Sequence, residues 1–162
     1  MAFDSSGTLT TLHEFGRTLH DGAFPESGLV FLNGAFYGTT FSGGTYDCFV
    51  TGSFFGCGTN FKVTPSGKYK SIYYFKCLSD GAYPNGLIAV NGNLYGTAGS
   101  NADYCGILFE ITPSGQETKL YTFKGGSDGC GPSSLSYVGG TFYGTTGSGG
   151  SYNNGTVFAF TP

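Results

Sequence analysis

Tryptophan is absent from this chain of 162 residues, methionine occurs once, and charged residues make up only 10% of it. Seven Lys and Arg stand against ten Asp and Glu, with no basic cluster, which excludes electrostatic capture of nucleic acid or of an anionic membrane. No apolar run exceeds a few residues, whereas a spanning helix needs about 20. No segment repeats its apolar residues at helical spacing. The opening "MAFDSSGTL" lacks a basic segment followed by an apolar core, so no signal peptide is visible. Cys-x-x-Cys and Cys/His spacings for zinc are missing, as is a calcium loop with clustered oxygen ligands, so neither a metal nor a cofactor is expected. The glycine-rich stretches do not lead into helices and therefore form no phosphate cradle.

What is present is glycine (30 residues), Phe (16) and Tyr (12), a mixture suited to short strands, tight turns and aromatic layers between sheets. The length fits one domain, residues 1–162. Three segments repeat: "DGAFP" (Asp21 to Pro25), "DGAYP" (Asp80 to Pro84) and "DGCGP" (Asp128 to Pro132). Each leads into a Tyr-Gly-Thr anchor, at Tyr37, Tyr95 and Tyr143, then into "GTNFKVTPSG", "GILFEITPSG" or "GTVFAFTP". The anchors are 58 and 48 residues apart, a period that points to propeller blades or solenoid units.

Four strands are expected in each unit. For the first they are a (Gly28 to Leu32), b (Ala35 to Thr40), c (Gly58 to Thr64) and d (Tyr69 to Phe75). Asn33-Gly34 and Asn91-Gly92 between a and b are strong hairpin signals, because both residues tolerate positive φ. Alternation puts Phe61 with Val63, Phe109 with Ile111, and Phe158 with Phe160 on one face, and Tyr37, Tyr95 and Tyr143 on the other. Sheets apolar on both faces are what stacked blades require. The expected fold is therefore all-β, a propeller with three four-stranded blades per chain. Its parts are a first d strand over 8–15 and blade repeats over about 21–75, 80–123 and 128–162. The first d strand has no blade and the last a-b-c lacks a d, so a homodimer by terminal strand exchange, giving six blades, is the simplest closure. A piece of a longer repeat array is the alternative.

The combination "GTVF…TPSG…LYTF…DG…P…GL…NG.FYGTT..GG" resembles the Gloeobacter/Verrucomicrobia-type (GloVer) tandem repeat over nearly the whole chain. That resemblance implies a propeller-like protein, commonly extracellular or surface-anchored, and brings no catalytic residues. The insertion "DCFVTGSFFGC" departs from the pattern.

In a meandering blade the b–c and d–a loops share one rim. Tyr46 with Asp47, Asp103 with Tyr104, and Tyr152 with Asn153 pair an aromatic plate with a carboxylate or amide once per unit, which suits a sugar. Asp21, Asp80 and Asp128 are candidates to line that rim or to cap turns. The competing reading of all these residues is turn chemistry, since Asp, Asn and Gly bond their own backbone. His13 aligns with Tyr73 and Tyr121 as a packing substitution, and His20-Asp21 lacks a nucleophile, so an enzyme is not expected. Among the five cysteines, Cys48 and Cys57 bracket a loop and could pair. The expected role is a non-enzymatic extracellular binding module, with glycans as the candidate ligand; a structural or self-assembling propeller is the alternative.

Overall fold

The computed structural model describes residues 2–3, 7–18, 20–44, 56–77, 80–99 and 105–162. It is all-β, without an α-helix among those residues. In chain order the strands are β1 (Ala2–Phe3), β2 (Leu9–Thr10), β3 (Gly22–Ala23), β4 (Val30–Leu32), β5 (Ala35–Thr40), β6 (Ser42–Gly43), β7 (Thr59–Val63) and β8 (Tyr69–Tyr74). They continue as β9 (Ala82–Val90), β10 (Asn93–Gly99), β11 (Ile107–Ile111), β12 (Glu117–Thr122), β13 (Cys130–Val138), β14 (Thr141–Ser148) and β15 (Thr156–Phe160). Sheet I runs β4-β5-β7-β8, sheet II β9-β10-β11-β12 and sheet III β13-β14-β15, all antiparallel.

The hairpins form where expected. Asn33-Gly34 and Asn91-Gly92 both take positive φ (49 and 79°, 49 and 86°), and Gly139-Gly140 does the same in the third unit. This mirror-image turn matches the twist of its flanking strands. After strand c, the Gly67 and Gly115 amides donate to the carbonyls of Thr64 and Thr112, both at 2.9 Å, closing the "TPSG" turns.

Register places the expected residues side by side: Phe36 opposite Val63, Leu94 opposite Ile111, and Phe142 opposite Phe160. The two faces of sheet II enter two different clusters. Leu87, Leu94, Phe109 and Ile111 pack with Tyr37 and Phe75 of the first unit. Leu108 on the opposite face, with Tyr95 and Phe123, packs with Leu135 and Phe142 of the third. Strands β4, β9 and β13 also contact one another in succession, so the sheets converge along their first strands.

One expectation needs correction, and one departure from the repeat was not foreseen. The first d strand does not extend over 8–15: only Leu9–Thr10 is in a ladder, paired with Ala2–Phe3. A d strand bonds to the c strand of its own sheet, and no c strand lies beside this one. The first "DGAFP" is also not continuous with its a strand. In sheets II and III this segment belongs to the long β9 and β13, whereas here it forms β3, paired with β6. Glu26 is an extra residue between Pro25 and Ser27, and it breaks the run.

The glycine of each Tyr-Gly-Thr permits a close approach. A Cβ on Gly96 would lie 2.8 Å from Phe109 Cζ and 3.0 Å from Leu87 Cδ2, and one on Gly144 would lie 2.5 Å from Phe158 Cζ. Gly96→Val should lower the unfolding free energy by about 1–3 kcal/mol through overpacking, read by chemical denaturation.

Candidate functional site

Each of the three Asp-Gly loops is built around its carboxylate. Asp80 accepts from the Tyr73 hydroxyl (2.7 Å) and from the Lys76 amide (3.1 Å). Asp128 accepts from Tyr121 (2.7 Å) and the Lys124 amide (2.7 Å). Asp21 does the same with His13 Nε2 (3.1 Å) and the Gly16 amide (3.1 Å). All three are thus loop caps. His13 does replace tyrosine, stacking on Tyr69 at 3.5 Å between ring centroids while its nitrogen reaches the capped aspartate.

These loops seat each unit on the previous one. The Tyr83 amide donates to the Cys57 carbonyl (2.9 Å), and the Gly131 amide to the Cys105 carbonyl (2.8 Å). Pro84 lies where a Cβ on Gly58 would be 2.5 Å away, and Pro132 holds the same position over Gly106. Disulfides reinforce both joints: Cys57–Cys77, with Cα atoms 5.4 Å apart, and Cys105–Cys130, at 4.3 Å. The bridge described at Cys57 runs to Cys77; the Cys48–Cys57 pairing named from spacing involves Cys48, which lies outside the described residues.

The aromatic joint recurs three times. Phe75 meets Phe109 at 5.4 Å, Phe123 meets Phe158 at 5.0 Å, and Phe15 meets Phe61 at 5.0 Å. Thr11 to Phe15 therefore lies against sheet I where the d strand of a preceding sheet would lie. Beside it is a groove of about 360 Å³ lined by residues that include Leu12, Pro25, Leu29 and Val63.

The outward faces of sheets I and III carry counterparts of residues that are buried between sheets. Val157 is 81% exposed, while its counterpart Leu108 is 1% exposed; Leu29 is 48% exposed, while Leu87 is 5%. Pro25 is exposed although Pro84 and Pro132 are buried, and Gly155, the counterpart of Gly58 and Gly106, has no proline over it. β15 is the outer strand of a sheet with three strands, where β7 and β11 each have a d strand alongside. The paired counterparts define the candidate site: two unlike, matching surfaces at opposite ends of the sheet array.

Of the rim pairs, Tyr46, Asp47, Asp103 and Tyr104 lie outside the described residues. Tyr152 is strongly exposed. Asn153, in contrast, takes positive φ (54°), and its Oδ1 accepts from the Gly149 amide at 3.0 Å, so its side chain is held in the turn. Among the described residues no group of three His, Cys, Asp or Glu side chains could hold a metal ion. The matching end faces escaped the sequence reading at residue level. Their signal was nevertheless present, in the repeat alignment of Pro25 with Pro84 and of Val157 with Leu108.

Burial pushes the Tyr69 phenol up to about 12, helped by the Asp21 carboxylate. Burial and then the Asp80 carboxylate raise Tyr73, with Glu117 adding to it, and Glu117 is itself raised by burial and by Asp80.

The Gloeobacter/Verrucomicrobia repeat family model matches residues 46–162, and the chain belongs to that family. No curated protein matches the chain.

Asp80→Ala strands the Lys76 amide and leaves the Tyr73 hydroxyl only the longer contact to Glu117 Oε2 at 3.4 Å, and should cost about 2 kcal/mol of stability, read by denaturant unfolding. Tyr69 and Tyr73 keep their protons in the folded state above the ordinary value of 10.0. The Tyr69 contribution to stability is therefore complete below pH 10 and is lost as pH rises from there toward about 12, because the unfolded chain ionises first, and the Tyr73 contribution is lost in the same direction. Thermal melts over that range, followed alongside phenolate absorbance, check the sign.

Proposed function

We propose that this member of the Gloeobacter/Verrucomicrobia repeat family is a non-enzymatic, self-assembling β-propeller. Each sheet is a blade, each chain is half a ring, and a second copy completes six blades. The observation that carries this reading is the repeated joint. The same interface is used between sheets I and II and between II and III, and its two halves are left open on the remaining faces. Phe15 already occupies the d-strand position against Phe61. In the ring the partner's Thr11 to Phe15 lies beside β15, the partner's Pro25 covers Gly155, and Val157 enters the partner's groove beside Leu29 and Val63. Two unlike faces, each used once per chain about a two-fold axis, close without a free edge.

An oxidising extracellular or cell-surface setting fits the two disulfides, which persist only outside reducing compartments. A non-catalytic role fits the fate of the titratable groups, since the His13–Asp21 pair and all three loop aspartates are engaged in capping. Ligand binding is a second reading, favoured by a polar cleft to which all three units contribute.

The protein should sediment as two chains per particle at micromolar concentration. Val157→Asp buries an unpaired carboxylate at the joint and should weaken association about 100-fold, about 3 kcal/mol, while leaving each chain folded because the residue is exposed there. One chain per particle for the unaltered protein, an open-ended polymer, or an unaffected Val157→Asp dimer would each overturn the proposal.

A further inference from the structure

A second concave surface lies where the first strands of the three sheets converge. It is a cleft of about 350 Å³, within the size range of small-ligand sites, and its walls include Glu26, Ser27, Thr39, Phe41, Asn85 and Ser134. The three units thus each contribute, although the residues are far apart in sequence.

The polar groups are fixed by their own partners. Ser27 Oγ and Thr39 Oγ1 are 2.8 Å apart. Asn85 Nδ2 donates to the Pro132 carbonyl (2.7 Å) and to Thr97 Oγ1 (3.2 Å). With its nitrogen committed, Asn85 presents Oδ1 as an acceptor that meets no donor among the described residues. Phe41 stacks on Tyr83 at 4.5 Å and 14°, yet is 43% exposed, so the ring is held in one plane with part of its surface open. The Ser27–Thr39 pair recurs as Asn85–Thr97 and Ser133–Thr145. That alignment makes Glu26 the one lining residue without a counterpart in the other units.

Among the described lining residues Glu26 is also the only ionisable group. A phosphate or sulfate ester would meet a carboxylate and no cation there. What suits the site is an uncharged ligand with many hydroxyl donors and one apolar face: the carboxylate and the amide oxygen accept, the hydroxyl pair both donates and accepts, and the ring covers the apolar face.

We propose that this cleft binds a neutral or N-acetylated hexose unit of a saccharide, with Phe41 as the plate and Glu26 and Asn85 as acceptors. The proposal rests on the binding role in the second reading above and is independent of ring closure.

The test applies the intact protein to an array of neutral, N-acetylated, uronic and sulfated oligosaccharides, then titrates the retained sugars by tyrosine fluorescence, which no tryptophan obscures. Neutral or N-acetylated sugars should be retained. Phe41→Ala should weaken them at least tenfold, Glu26→Gln about threefold or more, and Phe41→Tyr should restore binding. Retention of no sugar, retention confined to uronic or sulfated sugars, or binding indifferent to Phe41→Ala would overturn the proposal. Sedimentation separates the two proposals: an unaltered protein that sediments as two chains yet retains no sugar counts against this cleft alone, and sugar binding by an unaltered protein that sediments as a single chain counts against ring closure alone.

Discussion

A sheet with aromatic residues on both faces is stable only when something covers both. Sheet II meets this condition within one chain, with Phe109 and Ile111 facing sheet I and Leu108 facing sheet III. The joint depends on missing atoms as much as on apolar area. Glycines at 58 and 106 let a proline of the next unit sit where a side chain would otherwise stand, and the Tyr-Gly-Thr glycine admits the phenylalanine ring of strand c. Close packing of this kind fixes the spacing of the sheets, because an added methyl group has nowhere to go.

Covalent and polar ties then hold the rim. The capped aspartates set the shape of each Asp-Gly loop, which hands its next residues to the end of the preceding b–c loop. The two disulfides make the same connection by different routes. Cys57 and Cys105 hold equivalent places, but Cys77 aligns with Gly125 and Cys130 with Ala82. A Cβ built on Gly125 would lie 3.1 Å from Cys105 Sγ, so both partner positions surround the same sulfur. Two solutions to one geometric need indicate that the b–c to d–a joint is where the repeat gains most from a crosslink, and Cys57 and Cys77 are themselves part of the buried cluster between sheets I and II.

The repeat made most of this legible in advance. Asn-Gly turns, the Phe-x-Val faces and the bounds of β5 (Ala35–Thr40) follow from local chemistry that tertiary packing did not overrule. Four features were not legible, each for a physical reason. The 8–15 segment reads as a strand because its side chains match strand d, but a strand needs a neighbour for its backbone, and pattern says nothing of which chain supplies it. Cys77 was overlooked beside Cys48 because sequence distance ranks partners along the chain, while the d–a loop folds back onto the preceding unit. Asn153 reads equally well as a ligand group or a turn former, and only its bond to the Gly149 amide decides for the turn. The cleft at Phe41 and Asn85 was invisible altogether, since three strand starts far apart in sequence build it.

Departures from the repeat bear most on function. Identical units would make every cleft along the inner strands alike, and Glu26 prevents that: one inserted residue detaches β3 from β4 and adds a carboxylate to one cleft per chain. The proposed two-fold ring would turn one cleft into two on opposite sides of the axis. Sites of modest affinity placed so gain from a multivalent ligand far more than either gains alone, because the second contact becomes intramolecular. Assembly and recognition are then linked through geometry rather than through shared residues. In the proposed ring, closure would use the outer faces of sheets I and III and recognition the convergent edges of the strands, so that a change in one would leave the chemistry of the other in place.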